Sequence, residues 1–178
     1  MKSLLSFFFF FVFLLSNAQI NWMSMEQAIE AQKKNSKKII IDFYTENNDA
    51  SELMERQTFS HPYLIKFIND KFYAVKFNAL GKTEINFYGR VFKNSDLSVD
   101  ASNQITWHQF AKFMNVNSSP SLVFLDENGK TITNLMGGFS AAELEPYLTM
   151  IGNNEYKDIK TREQWENYQK KFKSKIKE

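Results

Sequence analysis

The run Ile39-Ile40-Ile41-Asp42-Phe43-Tyr44 constrains the fold more than any other part of this sequence. Its β-branched and aromatic side chains favour a strand, and its apolar residues do not alternate with polar ones. A strand of this kind must be covered on both faces. It is therefore predicted at the centre of a sheet that has helices on both sides.

A second strand and a hairpin complete the predicted sheet. Residues 72–77 repeat the β-branched and aromatic pattern, and an amphipathic helix that begins near Pro62 separates them from the first strand. Because a helical crossover joins parallel neighbours, these two strands are predicted to be parallel. Residues 121–125 and 131–135 flank a turn at 126–130 and are predicted to pair in antiparallel fashion.

Four capping boxes predict the starts of helices. In each, a Ser or Thr stands three residues before a Gln or Glu, and the capping residues are Ser24, Thr106, Ser140 and Thr161. Residues 80–104 are polar and irregular, apart from an alternating stretch that predicts a small hairpin, and we interpret this range as an insertion. The sequence therefore predicts an α/β chain with a mixed central sheet flanked by helices, an inserted segment and an extra C-terminal helix.

Residues 1–18 have the pattern of a secretory signal peptide. Lys2 supplies the positive charge, residues 4–15 are apolar, and Ser16-Asn17-Ala18 offers small residues for cleavage after Ala18. The apolar run is shorter than the roughly 20 residues of a membrane-spanning helix. An uncleaved anchor is the alternative. We expect one domain at 19–178, with no transmembrane segment in the mature chain, in a periplasmic or secreted protein.

The composition argues against several kinds of site. A formal charge of +2, from 22 basic and 20 acidic residues, does not favour a nucleic-acid partner, which needs a clustered basic face. The two histidines, His61 and His108, lack the spacing of metal ligands, so neither a metal nor another cofactor is predicted. The chain contains no cysteine.

Five segments, in the right order, resemble the thioredoxin-like superfamily. They are the strand at 39–44, Thr58-Phe59-Ser60-His61-Pro62-Tyr63, the loop at 116–121, the strand and turn at 124–130, and Gly137-Gly138-Phe139. The insertion and the aromatic C-terminal tail resemble exported thioredoxin-like proteins of Bacteroidetes-type bacteria. The resemblance covers about residues 20–178. It implies a thioredoxin fold and a cis peptide bond before Pro120.

The sequence departs from that family at its reactive centre. The resemblance places the family's Cys-x-x-Cys pair at Asn48 and Ser51. Thiol–disulfide exchange needs one thiolate that attacks and a second thiol that resolves the mixed disulfide. Neither an amide nor a hydroxyl without a base can do this. The resemblance therefore implies a redox-inactive protein.

Asp42 and Lys76 match two supporting residues of the family. There, the acid is buried behind the second cysteine and assists its proton transfer, and the lysine pairs with the acid. We therefore expect Asp42 and Lys76 to form a buried, satisfied polar pair. Without Lys76 nearby, burial should raise the pKa of Asp42.

The resemblance also implies a peptide-binding groove. Ser119-Pro120 would present a backbone edge to a bound peptide, and that edge needs no cysteine. Glu46, Asn47 and Asp49 are predicted to line the same groove. The acids Glu46, Asp49 and Glu52 have two interpretations: they complement a helix dipole, or they form a docking surface that excludes redox partners.

The sequence leaves three functions open. The first is a noncatalytic, exported thioredoxin-like module that binds an unidentified peptide or protein. The second is an enzyme of another class that uses Asp42 or the acids at 46–52, although no Gly-x-Ser-x-Gly motif surrounds Ser51. The third is a structural subunit of an envelope complex.

Overall fold

The computed structural model describes residues 19–94 and 106–177. The predicted signal peptide and the end of the predicted insertion, residues 95–104, lie outside the described residues. The described strands are β1 (Trp22–Met23), β2 (Lys38–Tyr44), β3 (Phe72–Asn78), β4 (Ile85–Phe87), β5 (Arg90–Phe92), β6 (Ser121–Leu125) and β7 (Thr131–Met136).

Five of these strands form the central sheet, in the order β1-β3-β2-β6-β7. Strand β2 is parallel to β3 and antiparallel to β6, and β6 is antiparallel to β7. All residues of β2 from Lys38 to Phe43 are buried. The predicted mixed sheet with β2 at its centre is confirmed. The short strand β1, parallel to β3, was not predicted because two residues carry no periodic signal.

The helices are α1 (Met25–Lys34), α2 (Asp49–Leu53), α3 (Pro62–Lys71), α4 (Gln109–Phe113), α5 (Ala141–Gly152) and α6 (Arg162–Lys171). Helix α2 continues as a π-helical segment, Met54–Thr58, and a 3₁₀ turn spans Glu155–Lys157. The capping boxes at Ser24, Ser140 and Thr161 are confirmed. The one predicted at Thr106 is wrong, since α4 begins at Gln109 with His108 at its N-cap.

Two hydrophobic cores cover the two faces of the sheet because successive side chains of β2 point in opposite directions. Ile39, Ile41 and Phe43 belong to the core that α1 and α4 cover, together with Phe110. Ile40 belongs to the core that α3 and α5 cover. No helix of residues 19–94 and 106–177 is both long enough and apolar enough to cross a membrane.

The range predicted to be an insertion, residues 80–104, contains the predicted hairpin. Strands β4 and β5 pair in antiparallel fashion, and the two turn residues, Tyr88 and Gly89, have φ values of 48° and 88°. Two consecutive positive φ values are typical of the type I′ turn that suits a two-residue hairpin. The hairpin packs on the core through Ile85, Phe87 and Phe92, which are buried.

The extra C-terminal helix α6 is also confirmed. Its Trp165 stacks between Tyr147 of α5 and Tyr168, with ring centroids 4.6 and 5.6 Å apart. The segment after α6 returns to α5, where the buried carboxylate of Glu145 accepts a hydrogen bond from the Lys175 N–H at 2.9 Å. These contacts extend the core covered by α3 and α5 toward the C-terminus.

Candidate functional site

The candidate site lies where β2 ends and α2 begins. Asn48 is the N-cap residue of α2, and its Oδ1 accepts a hydrogen bond from the Ser51 N–H at 2.9 Å. The sequence folds this way because the short amide side chain of asparagine can satisfy a helix N–H that has no backbone partner. The side chains of Asn48 and Ser51 therefore lie half-buried at the start of one helix.

The loop before β6 meets these two residues. Ser51 Oγ and Ser119 Oγ share a hydrogen bond at 3.1 Å, and Asn48 Nδ2 donates to the Ser119 carbonyl at 3.4 Å. The Ser119–Pro120 peptide bond is cis, and the Pro120 carbonyl accepts from the Gly137 N–H at 2.9 Å. The structure thus brings Asn48 and Ser51 together with the proline loop, which lies 68 to 71 residues later in the sequence.

The remaining predicted groove residues lie at the rim of this site. Glu46, Asn47 and Asp49 are exposed, and Asn47 has a φ of 54° in the tight bend before α2. Ser119 is half-buried and Pro120 is buried. The Pro120 carbonyl is already bonded, whereas the Ser119 carbonyl accepts, within the described part of the chain, the long bond from Asn48. The Ser119 carbonyl is therefore the more available acceptor for a peptide.

Among the described residues, no base accepts a hydrogen bond from the Ser51 hydroxyl. Its hydrogen-bond partner is another hydroxyl. His108 lies in the core, where its Nδ1 accepts from the Phe110 N–H and its Nε2 is 3.0 Å from the Thr83 carbonyl. These bonds define a neutral ring, and burial lowers the pKa of His108. His61 stands at the start of α3. Ser51 therefore forms no pair with either histidine of the kind that hydrolysis uses.

The predicted Asp42–Lys76 pair is wrong in its geometry. The two residues are neighbours on β2 and β3, but Asp42 Oδ1 is buried without a hydrogen-bond partner. Lys76 Nζ instead forms an ion pair with Glu55. The physical reason is solvation: the Lys76 side chain stays 29% exposed beside Glu55, whereas Asp42 is only 3% exposed. An ammonium that moved to Asp42 would lose this hydration.

Two aromatic rings also hold Lys76 away from Asp42. Its Nζ lies 5.6 Å from the ring centroid of Trp22 and 5.3 Å from that of Tyr44. Both distances are within the range of a cation–π interaction. Burial raises the pKa of Asp42 to about 7, and the charge of Glu55 adds to this rise while that of Lys76 opposes it. Glu55 was missed by sequence reasoning because nothing in its local pattern shows that it faces β3.

Asp42 lines a pocket of about 450 Å³ beside Ser51. This volume is within the range of small-ligand sites. The pocket lies between the end of β2, strand β3 and helix α2, and its lining comprises Asp42, Tyr44, Thr45, Glu46, Asn47, Ser51, Glu52, Glu55 and Lys76. In the described part of the chain, no group of three or more acidic or histidine side chains could hold a metal ion.

The cap at Asn48 gives a first prediction. Asn48→Ala should lower the free energy of unfolding by about 1 kcal/mol, because the Ser51 N–H loses its acceptor. Asn48→Asp keeps an oxygen for that N–H and loses only the donor to Ser119, so it should cost less. Urea unfolding measures both. Equal losses in the two variants would show that the bond to Ser119, rather than the cap, stabilises this site.

Comparisons with known proteins agree with the sheet and helix topology described above. The chain is similar to a thioredoxin-fold protein from Helicobacter pylori, with 23% identity, a TM-score of 0.60, and coverage of 76% of this chain and 82% of that one. It is similar to a thioredoxin from Thermus thermophilus, with 15% identity, a TM-score of 0.55, and coverage of 75% and 87%. It is also similar to the DsbH oxidoreductase, with 19% identity, a TM-score of 0.50, and coverage of 80% and 87%.

At these identities the solved structures show the fold alone, which is a thioredoxin-like fold. No curated protein matched the sequence. The family model of the thioredoxin-like domain matches residues 25–151, which include β2, the Asn48–Ser51 segment and the proline loop. Because this match covers most of the chain, the protein belongs to the thioredoxin-like domain family.

Proposed function

We propose that this chain is an exported, redox-inactive member of its family that binds a peptide or protein partner in the groove between Asn48 and Ser119. Export is inferred from residues 1–18, which have the pattern of a signal peptide cleaved after Ala18. The protein then works in the periplasm or is secreted. Redox inactivity follows from the absence of cysteine in the sequence.

The observation that carries the proposal is the contact between the former cysteine positions and the proline loop. Asn48 and Ser51 both bond to Ser119, so the loop is held in place by hydrogen bonds. A groove without the reactive pair can still bind an extended chain through the backbone of Ser119. The long 3.4 Å bond to the Ser119 carbonyl is one that a peptide N–H can replace at little cost.

Site-specific cross-linking tests the binding. A photoreactive amino acid at Asp49, an exposed position at the rim, should capture a distinct protein or peptide from an envelope extract of the native organism. The matched control places the same group at exposed Glu163 on α6. Adducts that are the same at both positions would contradict the proposal, because they would not depend on the groove.

An insulin-reduction assay tests the redox part. With dithiothreitol as the reductant, the purified wild-type protein should give the same rate as buffer, since no side chain can form a mixed disulfide. A cysteine-containing thioredoxin serves as the positive control. A rate above buffer that is proportional to the concentration of this protein would overturn the assignment.

An enzyme of another class is the second candidate, and Asp42 is the observation that favours it. A carboxyl with a pKa of about 7 in a pocket has the proton affinity of a general base. Glu46 and Glu52, two of the acids predicted for this role, line the same pocket. A hydrolytic or isomerising activity that disappears in Asp42→Asn would establish this candidate.

A further inference from the structure

The pocket behind Ser51 has an unusual balance of charge. Its lining contributes four carboxyl groups, those of Asp42, Glu46, Glu52 and Glu55, against the single ammonium of Lys76. That ammonium is paired with Glu55 and packed against two rings. Glu46 accepts a hydrogen bond from Asn78 Nδ2 at 3.1 Å. The negative charge of the pocket therefore exceeds what its own cation can neutralise.

Asp42 indicates independently that this pocket takes a ligand. The Asp42 side chain lines the pocket and is only 3% exposed, and its Oδ1 has no hydrogen-bond partner among the described residues. An unsatisfied buried acceptor is destabilising, so native structures rarely keep one without a reason. A hydrogen-bond donor that enters the pocket would pair with this carboxyl group.

We propose that the pocket binds a cationic side chain, a lysine ammonium or an arginine guanidinium, of the partner segment that occupies the groove. This inference rests on the proposed function and names the chemistry that the partner carries. The ammonium would pair with the Asp42 carboxylate, while the alkyl chain would lie along the ring of Tyr44 at the pocket wall. Glu46 and Glu52, which are exposed, would attract the cation at the entrance.

Binding of this kind must be linked to protonation. The groups that face Asp42 are Lys76 on β3, Glu55 on the π-helical segment, and Glu46 and Glu52 at the pocket entrance. A cation beside Asp42 favours the ionised carboxylate and so lowers its pKa. Affinity should therefore increase as pH rises through about 7, the range in which free Asp42 loses its proton. One proton is released when the cation binds below this range.

Two small probes that differ only in charge test the proposal on the full folded chain. Nα-acetyl-lysine methylamide carries the ammonium, and Nα-acetyl-norleucine methylamide has a similar length without it. The readout is the ¹³Cγ chemical shift of Asp42 followed through a pH titration at constant ionic strength. We expect the lysine probe to lower the pKa of Asp42 by about one unit and to bind about tenfold more tightly above the titration than below it. The norleucine probe should change neither quantity.

Asp42→Asn provides the matched variant, since it keeps the size of the side chain and removes its charge. In this variant the lysine probe should bind about tenfold more weakly at pH 8 than it binds wild type, and its affinity should no longer depend on the charge of residue 42. An unchanged affinity in Asp42→Asn would overturn the proposal. An Asp42 titration in wild type that is the same with both probes would also overturn it.

The probe titration and the cross-linking experiment can fail independently of each other. If the lysine probe shifts the Asp42 titration but no adduct depends on the groove, the cation pocket stands and the proposed function fails. If adducts form at Asp49 but the probe leaves Asp42 unchanged, the groove stands and the cation pocket fails.

Discussion

The double variant Asn48→Cys/Ser51→Cys should reduce insulin disulfides with dithiothreitol as the reductant, whereas wild type should not. We expect a rate at least about tenfold above buffer, which corresponds to a barrier lower by about 1.4 kcal/mol. The two new thiols would be oxidised to a disulfide as one insulin disulfide is reduced, and dithiothreitol would restore them. The chain has no other cysteine, so no competing disulfide can form.

The structure supports this expectation at two positions. The Ser51 N–H, which now donates to Asn48 Oδ1, would face the sulfur at position 48 and stabilise its thiolate. Asp42 lines the pocket beside position 51, and its pKa of about 7 allows it to accept a proton from the second thiol. The neighbouring acids Glu46, Asp49 and Glu52 oppose this effect, because negative charges raise the pKa of a thiol.

Three controls make this experiment decisive. Each single-cysteine variant should remain at the buffer rate, since it has no resolving thiol. Asp42→Asn in the double-cysteine background should lower the rate, because the proton acceptor is lost. A folded double variant that titrates as two thiols and shows no activity would contradict the alignment of Asn48 and Ser51 with the cysteines of the family.

Asp42→Asn should make the protein more stable than wild type at pH 8 and remove a large part of its pH dependence. In the folded protein the pKa of Asp42 is raised from 3.8 to about 7, so the folded state binds the proton more tightly than the unfolded state does. The stability that this proton contributes is fully present below about pH 4. It is lost as the pH rises to about 7. A rise of this size corresponds to roughly 4 kcal/mol.

The measurable quantity is the difference in unfolding free energy between wild type and Asp42→Asn. It should fall by roughly 4 kcal/mol between pH 4 and pH 7.5, because contributions of the other carboxyl groups cancel in the difference. Urea unfolding at several pH values measures it. A difference that is constant with pH would show that the carboxyl of Asp42 is not desolvated.

Two further substitutions test the cause of the raised pKa of Asp42, and they should shift that pKa in opposite directions. Lys76→Met removes a charge that opposes the rise, so the pKa of Asp42 should increase further. Glu55→Gln removes a charge that contributes to the rise, so the pKa should decrease. The ¹³Cγ titration of Asp42 distinguishes the two. Shifts in the same direction would contradict the electrostatic account.

The elements with strong local signals were predictable. The β2 run, the capping boxes at Ser24, Ser140 and Thr161, and the hairpin at β4 and β5 each follow from side chains close together in sequence. Helix α4 does not begin after Thr106 as predicted, because His108 is its N-cap and accepts from the Phe110 N–H through a ring nitrogen. A motif of two polar residues indicates where a helix can begin. Packing in the surrounding core then decides whether the helix begins there.

The candidate site was predictable only in part. The order of its motifs located Asn48, Ser51 and Pro120, but the hydrogen bond between Ser51 and Ser119 depends on how the sheet brings two loops together. The ion-pair partner of Lys76 could not be predicted from the sequence either. Asp42 and Lys76 are neighbours on adjacent strands, yet the Lys76 ammonium pairs with Glu55, which lies on a different element.

The sequence alone determined that this chain supplies no thiol, the group that disulfide exchange requires. It also determined the central strand, because a continuous apolar run has to be covered on both faces. Only the tertiary structure decided the state of Asp42. Whether a buried carboxyl is paired, protonated or open to a ligand depends on which charges reach it and which remain in water, and these distances are set by packing between elements distant in sequence.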